Sequence, residues 1–292
     1  MIGVDELDAL DLTIWLGRGR DAASRLSCNQ STISRRCQQC LDVFGLSLER
    51  GADGWPELDP SDLLQLERHV HQLHRLRSGR QLRLDASLLA APLLQEGVPR
   101  GWLAGTLAGL GWKRPMQLLK ARILDAWITA MGQELQADLS PWVHCIPLLN
   151  TPLQLACNRD HPLLKEAGLQ LKDVAHLPRL APSRGSYPCT ERLLGPWRQT
   201  TPPLKLEASQ RRRWPDAEPC RQQGVLHYGT RFSLAQHPLL KALPLDLSVQ
   251  TELTLVIRRD ISDQPALLAL AELLQQRSLR AAHEDLGVPA CN

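Results

Sequence analysis

The sequence is poor in aromatic residues and has no long apolar run. Only 4% of its 292 residues are Phe, Trp or Tyr, so the hydrophobic core must be built mainly from Leu, Ala, Val and Ile. No stretch of 18 or more apolar residues could form a bilayer-spanning helix. The acidic start is untypical of a secretory signal peptide, and we expect a cytoplasmic protein whose eight cysteines are reduced.

Common catalytic motifs are also missing. The sequence contains no Gly-x-Ser-x-Gly elbow, no P-loop, no Rossmann glycine fingerprint and no His-Glu-x-x-His. A catalytic triad can be assembled from distant residues, but nothing in the sequence points to one. We therefore predict that the protein is not an enzyme and needs no cofactor.

Two groups of metal-ligating residue types occur, and neither has the spacing of a metal site. Cys37 and Cys40 form a Cys-x-x-Cys, but a structural zinc needs four ligands and no second pair follows at a suitable distance. His69, His71 and His74 include no i, i+4 pair. We interpret the cysteines as small buried hydrophobes and the histidines as exposed helix positions, and predict no metal site.

Basic residues are concentrated near the N-terminus, although the net charge is only +3. Residues 1–16 contain four acids and no base, whereas residues 18–36 contain five arginines and one acid, Asp21. A local basic segment neutralises nucleic-acid phosphates even in a nearly neutral protein. The distribution therefore indicates a nucleic-acid contact in this segment.

The spacing of apolar residues predicts three short helices at the N-terminus, over 5–16, 20–26 and 30–44. The three residues 27–29 form a turn between the second and third helix, and Asn29 is a good N-cap residue. Two short helices joined by a three-residue turn are typical of a helix-turn-helix.

The third predicted helix has two chemically different sides. With 100° per residue, Cys37, Cys40 and Phe44 fall within about 40° of Ile33 and form an apolar stripe. Arg suits guanine, Gln suits adenine and short hydroxyls reach phosphate oxygens. A polar face alone is common on surface helices, but the turn and the arginines beside it favour a DNA-reading helix. The polar side carries Ser31, Thr32, Arg35, Gln38 and Gln39.

The next segments predict a wing and a long helix. Residues 45–60 contain Gly and Pro and could form a small hairpin or wing. Residues 61–78 begin with Ser61 as an N-cap candidate and have apolar residues at steps of three or four. This pattern suits packing on a partner helix, with packing inside the same subunit as the alternative. The apolar positions are Leu63, Leu66, Val70, Leu73 and Leu76.

From residue 81 onwards, short apolar stretches alternate with helical ones. We predict strands at 82–86, 153–157 and 252–257, and helices at 116–131 and 265–277. Such alternation is typical of an α/β domain with a largely parallel sheet.

The order of several spaced elements between residues 18 and 60 resembles the DNA-binding region of LysR-type transcriptional regulators. In that family an Ala-Ala helix leads into a Ser-Gln-x-x-Val-Ser helix, then Leu-Gly-x-x-Leu-Phe-x-Arg, a wing and a Leu-Thr-Pro boundary. This sequence departs from the pattern where Ser47-Leu48-Glu49 lacks the Phe and where Asp59 replaces Thr. The counterparts are Ala22-Ala23, Asn29–Ser34, Phe44–Arg50 and Leu58–Pro60.

The resemblance implies an α/β protein with an N-terminal all-α winged helix-turn-helix domain. This domain would span 1–60, followed by a linker and dimerisation helix at 61–80. Residues 81–292 would form a two-lobed, periplasmic-binding-protein-like α/β domain. Lobe I would comprise about 81–148 and 250–281, and lobe II about 149–249.

The resemblance also implies two sets of functional residues. The effector would lie between the lobes, where hydroxyls and free backbone N–H groups at helix N-termini bind small carboxylates; simple N-capping is the alternative there. The effector-binding residues would be Ser87, Ser183, Arg184, Gly185 and Ser186. The DNA-binding residues would be Arg18, Arg20, Arg25, Asn29, Gln30, Ser31, Thr32, Ser34, Arg35, Arg36, Gln38, Gln39 and Arg50.

The leading hypothesis is therefore a sequence-specific transcriptional regulator that binds double-stranded DNA as a homodimer or homotetramer. A small-molecule effector and RNA polymerase would be further partners, and no membrane is involved. One alternative is an effector-independent DNA-binding protein whose C-terminal region serves only oligomerisation. The other is an α/β enzyme or solute-binding protein with an incidental N-terminal helical region.

Overall fold

The computed structural model describes residues 2–51, 56–58, 61–105, 112–130, 141–180, 192, 224–235 and 237–285. The helices are α1 (Val4–Leu16), α2 (Gly19–Arg25), α3 (Gln30–Phe44), α4 (Asp62–Ser78), α5 (Lys113–Lys120), α6 (Leu171–Val174), α7 (Arg231–Ala235) and α8 (Pro265–Asp285). The strands are β1 (Leu48–Arg50), β2 (Pro56–Leu58), β3 (Leu82–Ala86), β4 (Trp102–Ala104), β5 (Ala126–Thr129), β6 (Val143–Asn158), β7 (Arg179–Leu180), β8 (Leu226–Thr230), β9 (Leu240–Ala242) and β10 (Gln250–Arg258).

The N-terminal unit confirms the three predicted helices and the wing. The C-cap of α1 is Gly17, whose φ of 78° lies in the left-handed region that glycine adopts without strain. β1 and β2 form an antiparallel hairpin in which Leu48 pairs with Leu58. The apolar faces of α1, α2 and α3 meet in one buried core. This packing stabilises the three helices, since isolated helices of this length are only marginally stable in water.

The long helix α4 packs on its own chain through its polar face. Its N-cap is Ser61, whose Oγ accepts a hydrogen bond from the backbone N–H of Leu64 at 3.3 Å. The side chains that α4 buries include four polar ones, Arg68, His71, Gln72 and Arg75. The Nε2 atom of His71 lies 3.4 Å from Oε1 of Glu67. Because His71 is buried, the expectation that it is exposed was wrong.

The predicted apolar stripe of α4 is largely exposed to solvent. Leu63, Leu66 and Val70 keep 60–69% of their surface accessible, while Leu76 is buried. The helix α4 therefore packs within its own subunit, as the alternative interpretation expects, and still presents apolar residues outward.

The described residues beyond α4 form a mixed sheet with the helices α5 to α8, and its strand order is β4-β3-β5-β10-β6-β8-β7, with β9 paired with β6. β3 pairs in parallel with β4 and β5, and β7 pairs in parallel with β8. β10 runs antiparallel to β5 and β6, and β6 runs antiparallel to β8 and β9. The expectation of a largely parallel sheet was wrong, because these two long antiparallel strands occupy its centre.

The sheet carries two buried clusters that share the strand β6. One cluster lies on β3, β5 and β10 and packs against α8, and the other lies on the C-terminal half of β6 and on β8. Leu89 contacts both clusters. A two-lobed arrangement would divide the sheet along β6.

One predicted helix was wrong over its second half. α5 ends at Lys120, and residues 126–129 form the strand β5 instead of continuing the predicted helix to 131. All four residues of β5 are buried, and its Trp127 and Ile128 are residue types that favour strands. The other predictions are confirmed, since β3, β6, β10 and α8 include 82–86, 153–157, 252–257 and 265–277. No helix in these described ranges is long and apolar enough to cross a membrane.

Candidate nucleic-acid interface

The connection between α2 and α3 is the tight bend that a helix-turn-helix requires. α2 ends at Arg25, α3 begins at Gln30, and Ser27 between them has a left-handed φ of 51°. Asn29 occupies the N-cap position of α3, where its carbonyl accepts from the N–H of Thr32 at 3.0 Å. The Asn29 side chain makes no capping bond, so its predicted capping role is confirmed for the backbone alone.

The inner face of α3 is fixed in the core. Ile33 and Cys40 are almost completely buried, and Cys37 and Leu41 are buried beside them. On α2, Ala22 is also fully buried, because its small side chain allows the helix to approach its neighbours closely. This packing determines which side of α3 faces outward.

The outward side of α3 is open to solvent and carries hydrogen-bonding groups. We call Gln30, Ser31, Ser34, Arg35, Gln38 and Gln39 the recognition face; all six are exposed. Gln38 donates to Asp42 Oδ1 at 2.7 Å, while Thr32 is half-buried at the edge of this face. Serine, arginine and glutamine side chains can contact both phosphates and base edges.

The predicted phosphate-contacting arginines lie around this helix pair. Arg18, Arg20 and Arg25 are exposed at the two ends of α2, and Arg50 is exposed on the hairpin. The Arg36 guanidinium donates to Asp5 of α1 at 2.6 Å and is only partly exposed, and Arg20 Nε lies 3.8 Å from a carboxylate oxygen of Asp21. An arginine held by a carboxylate has less positive charge to offer a phosphate.

Only part of the predicted effector set falls within the described residues. Residues 183–186 lie outside them. Ser87 is buried, and its Oγ accepts from the N–H of Ala130 at 3.2 Å. The Ser87 carbonyl accepts from the N–H groups of Ala90 and Ala91, at 2.9 Å each. Ser87 thus joins the ends of β3 and β5, and its side chain does not cap a helix, because the short helical segment that follows has Ala90 at its N-cap.

A pair of hydroxyl residues, Thr230 and Ser233, lies at the end of β8 and was not predicted from the sequence. The N–H of Thr230 donates to Ser233 Oγ at 2.9 Å, and the N–H of Ser233 donates to Thr230 Oγ1 at 3.2 Å. Both residues are buried at the start of α7. A strand followed directly by Thr-x-x-Ser is the signal that could have revealed them.

Six buried charged side chains lie where α1, α4 and the sheet meet. Each is at most 4% exposed. Three are acids and three are arginines, so the group is neutral as a whole, and each charge has a partner that offsets the cost of burial. We call these residues the junction network: Asp8, Asp11, Arg68, Arg75, Arg83 and Asp125.

Arg83 of β3 connects α1 to the sheet through two hydrogen bonds to carboxylates. Its guanidinium donates to Asp8 Oδ1 at 2.6 Å and to Asp11 Oδ2 at 3.2 Å. Arg68 of α4 donates to the other oxygen of Asp11 at 2.8 Å. Asp11 therefore joins α1 to both α4 and β3.

Asp125 connects α4 to the sheet in the same way. Its carboxylate accepts from Arg75 at 3.0 and 3.2 Å, from Gln72 at 3.0 Å and from the backbone N–H of Arg83 at 2.9 Å. Burial alone would lower the pKa of Arg75, but the charge of Asp125 outweighs this and raises it. The Arg75 guanidinium therefore keeps its charge although it is buried.

A separate polar contact supports the same junction. Trp15, at the end of α1, donates from Nε1 to Asp85 Oδ2 at 2.8 Å. Gly105 lies so close to this carboxylate that a Cβ there would overlap with it. Glycine at 105 leaves the space that the Asp85 side chain occupies.

Comparison with known proteins identifies the family of this chain. The family model described as the LysR substrate-binding domain matches residues 107–278, more than half of the chain. The chain belongs to the LysR family. A curated relative of this LysR protein, the probable nitrogen assimilation transcriptional activator of Synechococcus elongatus, is 25% identical over 195 residues; these are 61% of this chain and 62% of the relative's length.

Solved structures show that the fold is shared along nearly the whole chain. Full-length CbnR in complex with its target DNA matches 94% of this chain and 99% of its own, with a TM-score of 0.51 and 15% identity. A full-length OxyR variant from Pseudomonas aeruginosa matches 94% of this chain and 98% of its own, with a TM-score of 0.50 and 15% identity. At such identities the likeness concerns the fold alone.

The two cysteines of α3 should behave as shielded core residues. Burial raises the pKa of the Cys40 thiol to about 12, helped by the negative charge of Asp11, and burial also raises the pKa of Cys37. Because the thiolate is the reactive form, we expect iodoacetamide at mildly alkaline pH to leave both unmodified in the native protein. Peptide mass spectrometry would measure the labelling, with half-buried Cys28 as the reactive control. Native labelling of Cys37 and Cys40 at the rate of Cys28 would contradict this account.

Proposed function

We propose that this LysR-family protein is a sequence-specific DNA-binding transcriptional regulator. The observation that carries the proposal is the orientation of α3. Its apolar side is held in the core by Ile33 and Cys40, while the recognition face is open to solvent. A helix fixed in this way can enter a major groove without rearranging the domain.

The chemistry of the recognition face fits double-stranded DNA. Arg35 and Gln38 stand one turn apart on the exposed side of α3, with a guanidinium for guanine and an amide for adenine. The exposed arginines at the ends of α2 and on the hairpin would contact backbone phosphates and set the register of the helix. A regulator acting on the chromosome would work in the cytoplasm, and we propose no catalytic activity for it.

The exposed apolar residues of α4 support self-association. Leu63, Leu66 and Val70 lie at i, i+3 and i+7 on one side of the helix, which is the spacing of a helix-pairing seam. Two copies joined there would present two recognition helices to one DNA site, and the linked second contact would strengthen a weak first one. We propose a homodimer, or a homotetramer built from it.

The hydroxyl residues at the ends of β3 and β8 support an effector site between the two halves of the sheet. Ser87 and the Thr230–Ser233 pair lie at strand ends that lead into helical segments. Ligands of open α/β sheets commonly bind outside the carboxyl ends of the strands. Effector occupancy would bias the arrangement of the subunits and so alter DNA bending or contact with RNA polymerase.

Removal of the Arg35 guanidinium should weaken sequence-specific DNA binding. We expect Arg35→Ala to raise the Kd about tenfold or more, because a bidentate arginine–guanine contact contributes roughly 1–3 kcal/mol. Fluorescence anisotropy at fixed salt would measure the Kd on a duplex that the wild-type chain selects from a random library. Arg100→Ala, which removes an exposed arginine outside the N-terminal unit, should leave the Kd unchanged. Equal binding by wild type and Arg35→Ala would overturn the proposal.

A charge in the apolar stripe of α4 should separate the subunits. We expect Leu66→Glu to sediment as a monomer at concentrations where the wild type is a dimer, because a carboxylate would be buried without a partner. Analytical ultracentrifugation measures this directly. Leu239→Glu places the same charge on an exposed leucine elsewhere and should remain dimeric. A dimeric Leu66→Glu protein would exclude this interface.

A further inference from the structure

A cavity of about 460 Å³ lies in the N-terminal unit, beside α3. We call it the wing cavity, because Leu46–Leu48, which lead into and begin the hairpin, form part of its wall. Thr13 of α1 and Gly19 of α2 also contribute, and α3 supplies the remaining described lining residues. The wing cavity therefore lies apart from the ends of β3 and β8, where the effector site is proposed.

The apolar floor of the wing cavity is already formed. Ile33 and Leu41 are buried in the core of the N-terminal unit, and Leu46 and Leu48 pack against that core. Gly19 adds no side chain to the space, and the nearest atom that a Cβ there would meet is Ile33 Cγ2, at 3.8 Å. Apolar side chains held in place by the core offer a ligand a surface that needs no rearrangement.

The polar groups at the wing cavity include hydroxyls and amides. Ser34 and Ser47 are exposed, and neither hydroxyl forms a hydrogen bond with a described residue. Gln38 donates from Nε2 to Asp42 Oδ1 at 2.7 Å. Because a carboxylate can only accept, Gln38 keeps its own carbonyl oxygen as an acceptor. The lining can therefore donate to a ligand and also accept from it.

The described residues that line the wing cavity include no acid and no base. The Cys37 thiol is the group there that could ionise, and burial raises its pKa, so it is uncharged at neutral pH. Its sulfur lies 3.6 Å from Thr13 Oγ1, which donates to the carbonyl of Ala9 at 2.8 Å. A charged ligand group would lose water here without gaining a counter-charge from the lining.

We propose that the wing cavity binds an uncharged organic molecule that has an apolar body and an amide-like head group. The body covers Ile33 and Leu41. The hydroxyls of Ser34 and Ser47 donate to the carbonyl oxygen of the head group, and the Gln38 carbonyl oxygen accepts from its N–H. The volume of the cavity lies within the range of small-molecule sites, roughly 300–1,000 Å³, and a few polar groups around an apolar floor are typical of them.

The position of the wing cavity couples its ligand to the recognition face. Gln30, Ser34 and Gln38 belong to both, and they stand at i, i+4 and i+8, which places them in one row along α3. A ligand bound to this row would compete with DNA for the same side chains. This consequence rests on the proposed function, whereas binding of the ligand itself does not.

Isothermal titration calorimetry of the full-length protein, without DNA, tests the site. The probe is 4-butylbenzamide, and the comparison is 4-butylbenzoate, which has the same body and a charged head group. At neutral pH we expect saturable binding of one benzamide per chain. Ser34→Ala should raise the Kd of the benzamide about fivefold, since it removes one hydrogen bond and leaves the space unchanged.

A matched pair of variants locates the binding. Ser34→Leu places a larger side chain in the wing cavity and should raise the Kd of the benzamide at least tenfold. Ser31→Leu makes the same change at an exposed serine of α3 outside the lining and should bind like wild type. The benzoate should not enter the wing cavity, so Ser34→Leu should leave any benzoate binding elsewhere in the protein unchanged.

Three results would overturn the proposal: no saturable binding of the benzamide, equal benzamide binding by wild type and Ser34→Leu, or benzoate binding that Ser34→Leu removes. The first two would exclude the site, and the third would exclude an uncharged ligand class. Because these titrations contain no DNA, their failure would leave the proposed function standing.

Discussion

The burial of the junction network constrains the rest of this structure. Three carboxylates and three guanidinium groups can leave water only if every charge is paired, because a buried charge without a partner costs several kcal/mol. Arg83 and Asp125 meet this condition by contacting residues from distant parts of the sequence. The pairing therefore fixes α1, α4 and β3 relative to one another.

This constraint explains why α4 has its polar side inside. Arg68 and Arg75 face α1 and the sheet, so the opposite side of the helix, which carries Leu63, Leu66 and Val70, points outward. The outward apolar side is the surface that self-association would cover. The same packing of α1 against α3 leaves the recognition face exposed, so two surfaces proposed to act in gene regulation follow from one buried arrangement.

Local sequence pattern was enough to predict the elements of the proposed DNA interface. The period of the apolar residues in α3, the three-residue turn before it and the clustered arginines are all readable within about 20 residues. The mixed sheet was harder, because the short apolar segment Ala126-Trp127-Ile128 suits both a buried helix and a buried strand. Only its position between β3 and β10 makes residues 126–129 a strand.

The junction could not be predicted from local pattern. Arg68 and Asp11 are 57 residues apart, and Arg114 and Ile14 are 100 residues apart. In sequence, Arg68 and Arg75 resemble ordinary solvated positions of an amphipathic helix. Their burial depends on acids that only the tertiary fold brings near.

The most direct test of the central claim is a double-mutant cycle between Asp8 and Arg83, which are 75 residues apart and 2.6 Å apart in space. Chemical denaturation of Asp8→Asn, Arg83→Met and the double variant gives the free energy of unfolding of each. The account predicts that each single change costs about 3 kcal/mol or more, with a coupling energy of roughly 1–3 kcal/mol between them. Single effects below about 0.5 kcal/mol that simply add, as for surface positions, would show that α1 does not pack on the sheet domain in solution.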